Sequence, residues 1–245
     1  MWDYILLGII QGIFEWIPIS SEGIVALVCQ FLIQNINPID MALFLHLGTL
    51  LAVLIYFRKD WKKVLTGRDS KLLYFLIIST LVSLAIGYPL YRLARLVIGN
   101  ILLIIMGFGL LLTAYFHKKT KKTFGLSFNK LAIITGLLQG LAVIPGLSRS
   151  GSTIFGLSLG KTNPPEILKV SYMMSAPVVL VSSAYLFLEN PVLLFNGWPS
   201  LIFSFLVGYL SLDVLMKLAQ KINFFKFTLI FGLLCFLGVA IAFII

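Results

Sequence analysis

The sequence predicts an all-α integral membrane protein, with six transmembrane helices plus two re-entrant broken-helix hairpins arranged as an inverted-topology repeat. Three observations predict it. The 245 residues are 60% hydrophobic and 11% charged, less than half the roughly 25% charge of soluble domains. In lipid, only helices and closed barrels satisfy every backbone polar group. Continuous apolar runs such as 101–115 exclude barrel strands, which alternate polar and apolar residues.

The elements follow in order. Segment 2–33 is apolar but interrupted by Pro18, Ser20, Ser21, Glu22 and Gly23. It reads as a short helix, a polar break and a second short helix. Spans follow at 41–57, 72–91 and 97–116, each near the 17–25 apolar residues (roughly) that cross a bilayer. Segment 131–160 is a second broken element, interrupted by Pro145, Gly146, Ser148, Arg149, Ser150 and Gly151. Spans at 167–188, 199–216 and 226–245 complete the chain. Such breaks occur at membrane depth only where they line a cavity or are buried in protein. Residues 1–245 form a single membrane domain on this reading. The first repeat is 1–116 and the second 131–245.

Gln11-Gly12 recurs as Gln139-Gly140, and Ser20 and Gly23 recur as Ser148 and Gly151, all at one offset. Each half is then one broken hairpin plus three spans. Three is odd, so the halves run in opposite senses, which places the expected site where the two breaks meet near the midplane.

The net charge of +10 arises from 19 Lys+Arg against 9 Asp+Glu. The positive charge sits in short loops, so it reads as the positive-inside rule rather than nucleic-acid binding. Loops 58–71, 117–130 and 217–225 hold most of it and are placed in the cytoplasm. Loops 34–40 and 189–198 contain no Lys or Arg and are placed outside, with both termini. Loop 92–96, with Arg92 and Arg95, is an exception. Trp2, Trp16, Trp61 and Trp198 fall near span ends, as an aromatic belt requires. Cys29 and Cys235 read as small buried hydrophobes. No cleavable signal is expected, since Trp2-Asp3-Tyr4 follows Met1 without a basic region.

Few ionisable residues lie within the apolar segments. Glu15 and Glu22 flank the first break, and Arg149 lies in the second. A charge at the bilayer centre costs a few kcal/mol, so each is retained for a partner, a cavity or a role. A structural Glu15–Arg149 ion pair is the plain reading. The surrounding residues suggest more. Ser148, Ser150 and Ser152 supply hydroxyls, Gly151 allows close backbone approach, and Arg149 offers a planar fork matched to phosphate oxygens. A helix beginning near Ser152 would aim its positive end at an anion. Ser20, Ser21 and Glu15 add a hydroxyl beside a carboxylate, as a nucleophile and its base require. Asp213 is expected to pair with Lys217 one turn on.

These residues resemble the undecaprenyl-diphosphate phosphatases of the bacitracin-resistance family. The run from Gln11 to Gly23 is similar to E-G-x-x-E-x-x-P-x-S-S-x-G-H, and Pro145 to Gly151 matches P-G-x-S-R-S-G at every fixed position. Leu47 to Val53 and Ser175-Ala176-Pro177 resemble further family segments. The resemblance implies removal of the terminal phosphate from a polyprenyl diphosphate at the outer face of the plasma membrane, recycling the carrier for cell-envelope synthesis. It implies Glu15 as catalytic carboxylate and metal ligand, Ser21 as nucleophile, and Ser20, Ser148, Arg149, Ser150, Gly151 and Ser152 as phosphate ligands. It also implies a divalent cation, Mg2+ or Ca2+. The partners expected are the lipid substrate and membrane lipids, with no nucleic acid. The oligomeric state stays open, a homodimer included.

Two positions depart from the family pattern. Gln11 replaces its first glutamate and Ile24 its histidine. Glu22 and His46 are the local candidates to restore a carboxylate and an acid–base group. The competing function is a polyprenyl-phosphate carrier or flippase without hydrolysis. A soluble-ion transporter is disfavoured, because the second break offers Arg149 and no acid.

Overall fold

The computed structural model describes residues 1–17, 19–33, 36–97, 100–119, 126–160 and 164–218, with Leu229, Leu233 and Phe236. The described residues form helices and connecting turns, with no strand among them. The span expected at 226–245, with Cys235, lies outside the described residues but for those three isolated positions. Most of the lysine run after Lys119 and the side chain of Lys217 also lie outside.

The first broken element is α1 (Trp2–Phe14) and α2 (Ser21–Leu32). Next come α3 (Pro38–Tyr56), a short α4 (Arg58–Leu65), α5 (Ser70–Ala94) and α6 (Asn100–Lys119). The second broken element is α7 (Phe128–Leu141) and α8 (Arg149–Ser158), followed by α9 (Pro164–Glu189) and α10 (Val192–Leu218). Among the described residues, four stretches are long and apolar enough to cross a bilayer: Pro38–Tyr56, Ser70–Ala94, Pro165–Glu189 and Phe195–Val214.

Local chemistry sets the helix ends. Asn37 caps α3, its side chain accepting from the N–H groups of Ile39 and Asp40, with Pro38 at the first position, where a missing N–H costs nothing. Asp69 caps α5 by accepting from the Leu72 N–H at 3.0 Å. Ser20 caps α2 and Ser148 caps α8, each accepting from a glycine N–H three residues on. These caps satisfy donors that a helix start leaves orphaned.

Polarity is inverted relative to a soluble protein. Leu81, Phe108, Leu180 and Leu210 are exposed on the outside, whereas Ser79, Ser83, Thr135, Ser171 and Ser204 are buried. Lipid supplies no hydrophobic drive between helices, so close packing of small residues does the work. On α1, Gly8 and Gly12 face α10; on α7, Gly136 and Gly140 face α5. A Cβ added at Gly12 would lie 2.7 Å from the Gly208 nitrogen, and one at Gly136 2.7 Å from the Ser79 carbonyl oxygen. The broken element of each chain half therefore lies against a helix of the other half, α1 on α10 and α7 on α5.

Several details differ from the sequence reading. Part of the basic 58–71 loop is helical: α4 buries Val64 while Lys59, Lys62 and Lys63 stay outside the core. Trp16 belongs to no aromatic belt. It is 1% exposed, donates from Nε1 to the Gly208 carbonyl at 2.9 Å, and packs edge-on against Tyr172. Trp2 and Trp198 are exposed, as a belt requires. Asp213 accepts from the Tyr56 hydroxyl at 3.1 Å. Arg95 has a physical reason to sit on a Lys-poor side: it pairs with buried Asp40 at 2.9 Å and reaches Glu189 at 3.6 Å. Tyr91 donates to the same Asp40 at 2.7 Å.

The glycine contacts make a stability prediction. Gly12→Leu and Gly136→Leu should each cost about 1–3 kcal/mol, the usual penalty of overpacking. Thermal unfolding in detergent should show a lowered Tm for both; unchanged midpoints would mean the helices are not in this contact.

Candidate active site

Gln11 and Glu15 stand one turn apart at the C-terminal end of α1, so they share a face. Gln11 Nε2 donates to Glu15 Oε2 at 2.8 Å. Both are deeply buried, at 0% and 4% exposure. The chain then breaks, and Ser20 and Ser21 open α2. Ser21 Oγ donates to the same Glu15 oxygen at 3.0 Å. The cap thus places a hydroxyl directly on the carboxylate.

α3 contributes His46. Its Nδ1 lies 2.7 Å from the Ala42 carbonyl oxygen, which can only accept. The Nδ1 nitrogen therefore carries a proton, and Nε2 is left facing Glu15 Oε2 at 3.4 Å. The second break contributes Arg149, whose Nη2 pairs with Glu15 Oε1. Its Nη1 reaches the Ser171 carbonyl at 3.5 Å. Three donors thus converge on one carboxylate, and the His46 ring nitrogen stands beside them.

The two breaks touch. Ser20 Oγ accepts from the Gly146 N–H at 3.1 Å. Gly146 has φ +91°, a conformation that favours glycine. A side chain there would strike the backbone of Met106. Ser150 Oγ donates to the Ile17 carbonyl at 3.3 Å, and the Tyr172 hydroxyl to the Trp16 carbonyl at 2.7 Å. The strand of backbone between α1 and α2 is thereby tied to the second half at two points.

The structure brings Glu15, Ser21, His46 and Arg149 together and separates the remaining predicted residues from them by role. α8 begins at Arg149, a turn earlier than Ser152, because Ser148 caps it. Ser148 Oγ is engaged with the Gly151 N–H and lies 3.2 Å from Ser150 Oγ. Ser152 is fully buried, and its hydroxyl has no partner among the described residues. Ser20, Ser148, Ser150, Gly151 and Ser152, like Glu15 and Ser21, do not themselves line the cavity that Arg149 and His46 line. They shape the elbow behind the guanidinium. Ile24, at the family's histidine position, is packed in the core.

That cavity holds about 60 Å³ and is lined by Glu22, His46, Gln139, Arg149, Ser175 and Ser182, with Leu43 and valines. A neighbouring apolar cavity of about 290 Å³ shares Glu22, Leu43, Gln139, Val143, Val178 and Ser182 with it. Leu84, Gly87, Tyr88 and Tyr91 of α5, with Val181 and Tyr185 of α9, extend the larger one. Tyr88 and Val181 are about half exposed, so it reaches the outer surface of the bundle between these helices. Gln139 was legible as the partner of Gln11 but not as a site residue. Its Nε2 donates to Ser83 Oγ at 3.0 Å and to the Met174 carbonyl at 3.4 Å. Tyr172 and Trp16 carried no sequence signal of their role, which depends on contacts across 156 residues.

Fold and site define an integral membrane protein whose polar centre is enclosed by two broken helices from opposite halves of the chain. The chain belongs to the family described as bacitracin resistance protein BacA, which matches residues 4–238. It is similar to an undecaprenyl-diphosphatase of Methanococcoides burtonii, 34% identical over 95% of this chain and 96% of the relative. Similar too are undecaprenyl-diphosphatases of Haloarcula marismortui, 31% identical over 93% of both chains, and Desulforudis audaxviator, 32% identical over 90% and 89%.

The buried pair makes a second stability prediction. Arg149 is 15% exposed and Glu15 3% exposed at their side chains. Removing one partner of such a pair costs about 3–5 kcal/mol. Glu15→Ala should therefore lower the Tm in detergent more than the double variant Glu15→Ala/Arg149→Met. A double variant less stable than the single would contradict the pairing.

Proposed function

We propose that this chain hydrolyses a polyprenyl diphosphate to the monophosphate at the outer leaflet, recycling the lipid carrier for envelope synthesis. The observation that carries this reading is the junction of two cavities: a small one with Arg149 and His46 in its wall, continuous in lining with a long apolar one that reaches lipid. A diphosphate head suits the first and an isoprenoid chain the second. The family membership and the relatives' activity support the same chemistry.

The residues have distinct parts in this mechanism. Arg149 binds the terminal phosphoryl oxygens with its charged fork. Ser21 Oγ, whose proton already points at Glu15, attacks the terminal phosphorus. The bond from that phosphorus to the bridging oxygen breaks, and polyprenyl monophosphate leaves. Glu15 Oε2 takes the serine proton and shares it with His46 Nε2. Water then attacks the phosphoserine, giving its proton to the same pair. Of the two protons then held by the pair, one returns to Ser21 Oγ as the phosphorus–serine bond breaks and the other leaves with inorganic phosphate, which restores the site. His46 supplies the imidazole that Ile24 does not. A divalent cation, when bound, would neutralise charge on the phosphoryl oxygens.

The orientation follows from the cavity's place in the helices. Leu43 is near the start of α3, Tyr91 near the end of α5 and Tyr185 near the end of α9. Those ends adjoin loops 34–40, 92–96 and 189–198, the side away from the basic 58–71 segment. With the basic segment taken as cytoplasmic, the positive-inside rule supports an opening in the outer half of the bilayer.

Purified protein should release phosphate from undecaprenyl diphosphate. Ser21→Ala, Glu15→Gln, His46→Ala and Arg149→Ala should each lower kcat/KM about 10²–10⁴-fold, the range for losing one acid–base or charge-stabilising group. Binding and transbilayer movement of the lipid without phosphate release would establish the carrier instead. Gly87→Leu tests the tail path: a Cβ there lies 3.4 Å from Val143, and the rest of leucine would fill the apolar cavity. KM should rise for a C55 diphosphate and stay unchanged for a C5 diphosphate; equal effects on both would place the chain elsewhere.

A further inference from the structure

The two carboxylates near the small cavity are not equivalent. Glu15 accepts from Gln11, Ser21 and Arg149, and His46 Nε2 stands 3.4 Å from it, so a cation could take one of its oxygens only by displacing one of these groups. Glu22 lines both cavities and makes no hydrogen bond or ion pair with a described residue. Gln139 lines both cavities as well and is 3% exposed. Its two N–H donations, to Ser83 and Met174, fix the amide, and its Oε1 is buried with no partner among the described residues. Gln11 Oε1 is also unpartnered, but Gln11 lines neither cavity.

A buried acceptor without a donor carries a desolvation penalty. A carboxylate that ionises beside an incoming diphosphate meets like-charge repulsion, strengthened by the low dielectric. One ligand relieves both: a hard divalent cation, which takes carboxylate, amide carbonyl and phosphoryl oxygens alike. The small cavity's hydroxyls suit it, since Ser175 Oγ donates to the Tyr172 carbonyl and Ser182 Oγ to the Val179 carbonyl, leaving oxygen lone pairs for a cation. Resting on the phosphatase reading above, we propose that Glu22 and Gln139 hold the divalent cation of this chain. Glu15 is kept for proton transfer and for Arg149.

The test titrates Mn2+ into purified full-length protein carrying farnesyl methylenediphosphonate, a non-hydrolysable diphosphate, with free Mn2+ read by electron paramagnetic resonance. Glu22→Gln should weaken Mn2+ binding about tenfold or more, and Gln139→Leu by a smaller factor, the range known for perturbed metal sites. Glu22→Gln/Gln139→Glu should recover most of the affinity, which a misfolded variant could not do. Wild-type affinity in Glu22→Gln overturns the proposal, as does loss of binding confined to Glu15→Gln or absence of Mn2+ binding by the wild type. Phosphate release is scored separately. A wild type that binds Mn2+ through Glu22 yet releases no phosphate refutes the phosphatase reading and leaves the cation site standing.

Discussion

One carboxylate organises this protein. Glu15 is buried where a lone charge would be untenable, and it is surrounded by groups from four places: α1 itself, the start of α2, α3 and the start of α8. Two of those places are polypeptide breaks in opposite halves of the chain. The ion pair with Arg149 is therefore a joint between halves as well as a chemical device. Each break exists to bring its residue to that joint, and the caps at Ser20 and Ser148 make the breaks tolerable by satisfying the helix starts they create.

The same demand explains the shape of the surrounding bundle. A polar centre at membrane depth must be sealed from acyl chains, so the broken helices need intimate neighbours. Glycines at matched positions on α1 and α7 supply the approach, and buried hydroxyls fill what polar demand remains. The apolar cavity between α5 and α9 is the exception to sealing. On the proposed function it is where the lipid tail lies beside the polar centre.

Much of this was legible in residue order. Continuous apolar runs marked the spans, and prolines, glycines and serines marked both breaks, because these residues act through local backbone chemistry. Glu15 and Arg149 stood out because charge is so rare in the apolar segments. His46 was visible as a candidate by its position one residue before the Leu47-Gly48 segment. What escaped was tertiary. The serines of the second break read as phosphate ligands by type; in the fold Ser148 also caps α8, Ser150 also reaches the Ile17 carbonyl, and Ser152 is buried with no partner among the described residues. Trp16 looked interfacial by its place at a helix end, yet it is enclosed by α10 and Tyr172. Gln139 was noticed as a repeat, not as a lining residue, since exposure to a cavity depends on helices distant in sequence.

The bond from Trp16 to the Gly208 carbonyl spans 192 residues. On a ribosome adding roughly 5–20 residues per second, α1 is made roughly ten to forty seconds before α10 exists to receive it. Through that interval its glycine face lacks α10, and Glu15 lacks Arg149 for most of it. Biogenesis must therefore keep the first hairpin near the insertion machinery, or in shallow contact with the headgroups, until the last helices arrive and draw it in.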